Sequence, residues 1–181
     1  LTSGGSNTAP AWSPNGLRIA WEKGDGDIWA MEADGTLSGA LTTDGGGRGD
    51  TAPSWSPDST QLVYSSYASG SDEIRRMNAD GSGQAQIGTA TGSEPAWSPD
   101  GTKILFTSRR NGGQDDIYVI NPGGTGEMRL TSNPYTEMSP AWSADGTKIA
   151  YTAIPGSNYE VYTMNADGSN QTRLTNDAAH D

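Results

Sequence analysis

Four near-copies of one heptapeptide constrain this 181-residue chain more than any other feature: PAWSPNG from Pro10, PSWSPDS from Pro53, PAWSPDG from Pro95 and PAWSADG from Pro140. Their tryptophans, Trp12, Trp55, Trp97 and Trp142, stand 43, 42 and 45 residues apart, a period that suits a unit of four short strands. Aligned on tryptophan without gaps, the copies place Ile19, Leu62, Ile104 and Ile149 seven residues on, with Trp21, Tyr64, Phe106 and Tyr151 two further. The intervening Ala20, Val63, Leu105 and Ala150 are apolar as well, so this strand needs a layer against each of its faces.

The strand before it is joined by a tight turn at Asn15-Gly16, Asp100-Gly101 and Asp145-Gly146, with Asp58-Ser59 in the second copy. These residues tolerate the positive φ that such turns require. A third strand follows from Asp27, Glu73, Asp116 and Glu160, and a more polar fourth closes each copy near Leu41-Thr42, Ile87-Gly88, Leu130-Thr131 and Leu174-Thr175. The composition agrees, with 25 glycines, 10 prolines, 6 tryptophans and 7 tyrosines pointing to short strands and many turns. A sheet apolar on both faces must stack on its neighbours, and units of this length are propeller blades rather than solenoid coils. The expected fold is all-β, a single β-propeller domain with four four-stranded antiparallel blades at about 9–50, 51–91, 92–136 and 137–177.

PAWSPDGTKILFTS from Pro95, DIYVINPGG from Asp116 and RLT from Arg129 resemble the PD40 (WD40-like) repeat of TolB-type propellers. PAWSPDG recurs together with MNADGS at family-like spacing over nearly the whole chain. The resemblance implies a propeller, commonly of six or more blades, often periplasmic or extracellular, that serves mostly as a docking scaffold. It also implies a protein partner, which for TolB is a peptidoglycan-associated lipoprotein.

Leu1-Thr2 matches the LT that ends other copies, and LTNDAAHD from Leu174 runs toward a further heptapeptide, so both ends read as cut and Leu1 as the start of a processed or excised piece. Three arrangements follow: a fragment of a longer propeller, a closed four-blade ring, or a half-ring that pairs with a second copy into a larger closed propeller. An open half-ring exposes apolar faces, so self-association is expected.

The formal net charge of -11 opposes partnership with nucleic acid or an anionic membrane surface. Cysteine is absent, and no apolar run approaches the roughly 20 residues of a membrane-spanning helix. Catalysis has little to build on: His180 is the one histidine, near the chain end, and no G-x-S-x-G elbow occurs. No catalytic residue and no cofactor are assigned.

Candidate binding residues fall into three groups. Asp50 and Glu137, five before their tryptophans, and Glu94, three before Trp97, are candidates for a cation at one mouth of the channel; the other reading is solvated or turn-bonded loop acids. Arg75-Arg76 and Arg109-Arg110 depart from the repeat and form two basic spots for an acidic peptide or sugar acid, or else pair with nearby acids such as Asp72 and Glu73. Tyr67, Tyr135 and Tyr159 fall in connections, where they either stack on a ligand such as a sugar ring or cap blade ends.

The aligned acids Asp27, Glu73, Asp116 and Glu160 are read as structural acceptors. GDGDIW around Asp25 reads as a hairpin loop, GGTGEM from Gly123 as a turn, Arg48-Gly49-Asp50 as a chance tripeptide, and Asn170-Gln171-Thr172 as a sequon with meaning only in a eukaryotic secretory host. The function expected is a non-catalytic binding scaffold for a protein partner. The alternatives are a glycan-binding propeller and an accessory domain of a larger peptidase or polysaccharide lyase, with its catalytic residues elsewhere.

Overall fold

A computed structural model describes residues 6–43, 49–68 and 70–176. Leu1, Thr2, Arg48, His180 and the residues from 177 onward lie outside the described residues. Four antiparallel meanders of four strands follow one another along the chain. Blade 1 comprises β1 (Asn7–Trp12), β2 (Arg18–Lys23), β3 (Ile28–Glu32) and β4 (Gly39–Ala40); blade 2 comprises β5 (Asp50–Trp55), β6 (Gln61–Ala68), β7 (Ser71–Asn78) and β8 (Ala85–Thr91). Blade 3 comprises β9 (Ser93–Trp97), β10 (Ile104–Ser108), β11 (Asp116–Ile120) and β12 (Met128–Arg129); blade 4 comprises β13 (Glu137–Trp142), β14 (Lys148–Ala153), β15 (Glu160–Asn165) and β16 (Thr172–Arg173). The first strands of successive blades pack on one another, which places them innermost.

Half of the heptapeptide is a hairpin device. Ser98 Oγ donates to Asp100 Oδ1 at 2.6 Å, that oxygen accepts Thr102 N–H at 3.0 Å, and Ser98 Oγ accepts Lys103 N–H at 2.9 Å. Ser143 and Asp145, Ser56 and Asp58, and Ser13 and Asn15 repeat the arrangement. Gly16, Gly101 and Gly146 follow at φ 72, 71 and 71°, and in the second copy Ser59 takes φ 62° in place of glycine.

The other half is a latch between blades. Trp55 Nε1 donates to the Ala11 carbonyl at 3.1 Å and Trp142 Nε1 to the Ala96 carbonyl at 3.3 Å, each reaching back to the first strand of the preceding blade. Behind the indoles lie three apolar seams. One face of blade 1, with Ala20, Ile28, Ala30 and Leu41, meets Trp55, Leu62, Tyr64 and Met77 of blade 2. Val63, Ile74 and Ile87 meet Ile104, Phe106 and Ile120 in the next seam, and Leu105, Ile117, Val119 and Leu130 meet Ile149, Tyr151 and Met164 in the third. At the outer edge the turn glycines come close to backbone: a Cβ on Gly81 would stand 2.6 Å from the Leu41 carbonyl oxygen.

Of the three arrangements that the sequence leaves open, one does not match the described residues. Among the described residues no apolar cluster joins blade 4 to blade 1, so the blades form an open arc and not a closed four-blade ring. The four tryptophans, read as equivalents, consequently differ in their surroundings. Trp55 is 5% exposed, Trp97 and Trp142 are half-buried, and Trp12, with no blade before it among the described residues, is 58% exposed. At the other end of the arc Val161 and Leu174 are exposed.

Candidate functional site

Every first strand carries a kink three residues before its tryptophan. Ala9, Ala52, Glu94 and Ser139 hold φ of 46, 52, 55 and 51°, and the register with the second strand shifts there. The kink turns a backbone N–H toward the preceding blade. Ala52 N–H donates to Glu22 Oε1 at 2.7 Å, and Ser139 N–H to Glu94 Oε2 at 2.6 Å. Glu94 is thus engaged with the neighbouring backbone.

Two residues earlier, the N–H groups of Asp50, Gly92 and Glu137 each donate at 2.8 Å to the preceding blade's second hairpin, at the carbonyls of Gly26, Asp72 and Asp115. The Asp50 and Glu137 side chains are buried in equivalent places in two different seams. Glu137 Oε1 accepts Asn133 Nδ2 at 2.8 Å, and burial raises the Glu137 carboxyl above its ordinary range. Asp50, Glu94 and Glu137 are not brought together at a channel mouth: Asp50 and Glu137 are buried in blades 2 and 4, and Glu94 is bonded to the Ser139 backbone. Among the described residues no three His, Cys, Asp or Glu side chains are placed to hold a metal ion.

The arginine pairs do not form joint basic spots. Arg75 and Arg76 are consecutive on β7, so they face opposite sides of the sheet. Arg75 pairs with Glu73 at 2.9 Å, and Arg76 lies opposite Val63, on the side toward blade 3. Arg109 Nη2 pairs with Asp115 Oδ2 at 2.7 Å. Arg110 pairs with Glu127, donates to the Thr91 carbonyl at 3.0 Å and lies over the rings of Phe106 and Tyr118, 5.4 and 5.0 Å from their centroids. Local acids neutralise three of the four.

Tyr67 is exposed near the end of β6, directly across from Asp72. Tyr135 is half-buried before β13, and Tyr159 is exposed between β14 and β15, so these two belong to blade 4 and share no surface with Tyr67. Of the aligned acids, Asp116 accepts Arg129 Nη2 at 2.8 Å, and Glu160 accepts Thr175 Oγ1 at 2.7 Å and also pairs with Arg173. Those bonds hold the Glu160 carboxyl below its ordinary range, with the threonine hydroxyl as the larger cause.

Two of the concavities bear on these residues. An apolar groove of about 560 Å³ faces the axis, lined by Trp55, Trp97 and Trp142 with Pro57, Pro99 and Pro140. A polar cleft of about 400 Å³ lies between blades 2 and 3, lined by Asp72, Ser93, Thr107, Ser108, Arg109 and Asp115 among others. Sequence reading missed Gln84 and Gln171, whose amides donate to the Leu41 and Leu130 carbonyls of the preceding blades at 3.1 and 3.2 Å. Their identical place four residues after Asp80 and Asp167 was the available signal.

The PD40 family model, described as the TolB beta propeller domain, matches residues 2–94 and again 89–181. The chain belongs to the PD40 family. Among solved structures, this PD40 propeller is similar to TolB from Acinetobacter baumannii, at 29% identity and a TM-score of 0.84, over 97% of this chain and 45% of that one. It is also similar to a candidate TolB from Agrobacterium tumefaciens, at 19% identity and a TM-score of 0.74, over 97% of this chain and 82% of that one. An oligogalacturonate lyase in complex with manganese shares the fold at 13% identity and a TM-score of 0.73, over 96% and 55% of the two chains. This PD40 chain therefore spans less than half the length of the A. baumannii protein. No match is found among the curated proteins. No helix is long and apolar enough to cross a membrane among the described residues.

Proposed function

We propose that the chain is a non-catalytic, periplasmic or extracellular protein-docking module, and that the partner its exposed faces fit is a second copy of the same repeat. The observation that carries this reading is Trp12. Trp55 and Trp142 each bury against the preceding blade and bond its first-strand carbonyl, whereas among the described residues the Trp12 indole stands on an uncovered sheet face. The face at the far end of the arc offers the complementary half: Val161 and Leu174 hold the positions that Ile28 and Leu41, or Ile117 and Leu130, use to receive the next blade. Blade 4 of one copy thus presents to blade 1 of another the chemistry of an internal seam, a head-to-tail contact.

The absence of catalysis is part of the same proposal. Glu137, the carboxyl raised by burial, is closed off from solvent within a seam, where it has no access to a substrate. Family membership supports both the docking role and the compartment. Light scattering at roughly 100 μM protein tests the association. A mass of two or more copies is expected, reverting toward one copy in Trp12→Ala. A single-copy mass of 18.9 kDa in the parent chain would overturn the proposal.

A further inference from the structure

The polar cleft between blades 2 and 3 exists because of one departure from the repeat. Five residues before tryptophan the copies carry Asn7, Asp50, Gly92 and Glu137, and nine after it Trp21, Tyr64, Phe106 and Tyr151. In blade 1 these two positions bond directly, Trp21 Nε1 donating to Asn7 Oδ1 at 3.0 Å. In blade 4 the Glu137 charge helps raise the Tyr151 phenol, after burial as the main cause. Blade 3 has lost both polar partners together. Gly92 has no side chain, and its backbone admits none: φ is 154° and a Cβ would stand 1.9 Å from the Thr107 carbonyl oxygen. The Asp50 and Glu137 side chains are buried at the corresponding positions, and beside Gly92 there is instead a concavity of about 400 Å³.

What lines the opening defines what can enter it. Thr107 and Ser108 are buried hydroxyl residues, Ser93 Oγ lies 2.9 Å from Thr107 Oγ1, and Ser108 Oγ accepts Arg110 Nε at 3.2 Å, leaving its own proton to donate. Both Arg109 contacts with Asp115 converge on Oδ2, at 2.8 and 2.7 Å, so Oδ1 has no protein donor among the described residues. The Asp72 carboxylate supplies a further acceptor. Arg109 is already paired with Asp115 and Arg110 with Glu127, which among the described residues leaves Asp72 as the unneutralised charge of the lining and disfavours an anion. Donors and acceptors are both present in the lining, and the exposed ring of Tyr67, cross-strand from the lining residue Asp72, offers a stacking surface beside it.

We propose that this cleft is a binding site for a neutral saccharide, its hydroxyls bonding Asp72, Asp115, Ser93 and Ser108 and its ring resting on Tyr67. The volume lies at the small end of ligand pockets and fits one or two sugar rings. The site belongs to an internal seam and not to either exposed blade face, so it is independent of self-association.

The test is an amide NMR titration of the full chain with maltose, cellobiose and chitobiose, and with digalacturonate as the acidic arm. At least one neutral disaccharide is expected to give saturable shifts at Gly92, Ser93, Ser108 and Arg109, with a Kd of about 1–10 mM. Asp72→Ala and Tyr67→Ala, both surface changes, should weaken it about tenfold or more without altering shifts elsewhere. The proposal is overturned by any of three results: no saturable shift with any neutral probe at about 50 mM, tighter binding of digalacturonate than of every neutral probe, or unchanged affinity in Asp72→Ala.

Discussion

Truncating Trp55 and Trp12 in turn interrogates the seam, because the two residues share a motif, a turn and a strand position but not a neighbour. Full burial of a tryptophan side chain removes about 200 Å² from water, or about 5 kcal/mol at about 25 cal/mol/Å². Trp55 is 5% exposed and realises nearly all of this, so Trp55→Ala is expected to cost about 3–5 kcal/mol, with about 1 kcal/mol more for the lost bond to the Ala11 carbonyl. Trp12 is 58% exposed, so less than half of its surface is covered and Trp12→Ala should cost about 1–2 kcal/mol. The difference of about 3 kcal/mol corresponds to about 1.5 M in the urea midpoint, taking a slope of about 2 kcal/mol/M. The assay is urea unfolding followed by far-ultraviolet circular dichroism, at a dilution where the chain is a single copy. Equal midpoints for the two variants would refute the reasoning, since the first blade's outer face would then be covered from within the chain.

Three further outcomes follow from backbone and charge. Gly81→Ala should cost about 3 kcal/mol in thermal unfolding, from its φ of 85° and the 2.6 Å approach to the Leu41 carbonyl, while Gly16→Ala, with φ 72° and open space around it, should cost about 1 kcal/mol. Asp145 is held at about 2 against an ordinary 3.8 by the Ser143 hydroxyl and the Thr147 amide and hydroxyl. Its contribution is therefore present above the ordinary value and lost as pH falls from about 4 to about 2, and Asp145→Asn should flatten that limb of an acid-unfolding curve. Glu137 is shifted the other way by burial, so the stability linked to its proton is full below the ordinary value of 4.5 and declines as pH rises through the folded value. Glu137→Gln should remove that decline, measured as urea midpoints at pH 4.5 and 7.

The blade was legible because its determinants are local and repeated. The Ser-x-Asp turn, the doubly apolar second strand and the Asp-Gly turn after the third each tie residue type to backbone shape within a few positions. The kink at Ala9, Ala52, Glu94 and Ser139 was not legible, because its four residues share no chemistry and only the backbone repeats. The sequence left the open and closed arrangements side by side, since closure depends on the angle between sheets and no residue pattern encodes it. The site residues fared worst where counting charges replaced following strand alternation. Arg75 and Arg76 adjoin in the chain and lie on opposite faces, while Tyr67 and Asp72, five residues apart, stand side by side. Gly92 was visible as a departure, but its meaning required seeing what Asp50 and Glu137 fill.

Since the Trp55 and Trp142 latches both run backward from a unit to the one before it, each of these repeats carries its own half of a joint. Gene duplication that adds or drops one whole period would leave all surviving joints matched, whereas a gain or loss of half a period would strand an indole on one side and a carbonyl on the other. The length of such a protein is therefore free to change only in steps of one blade.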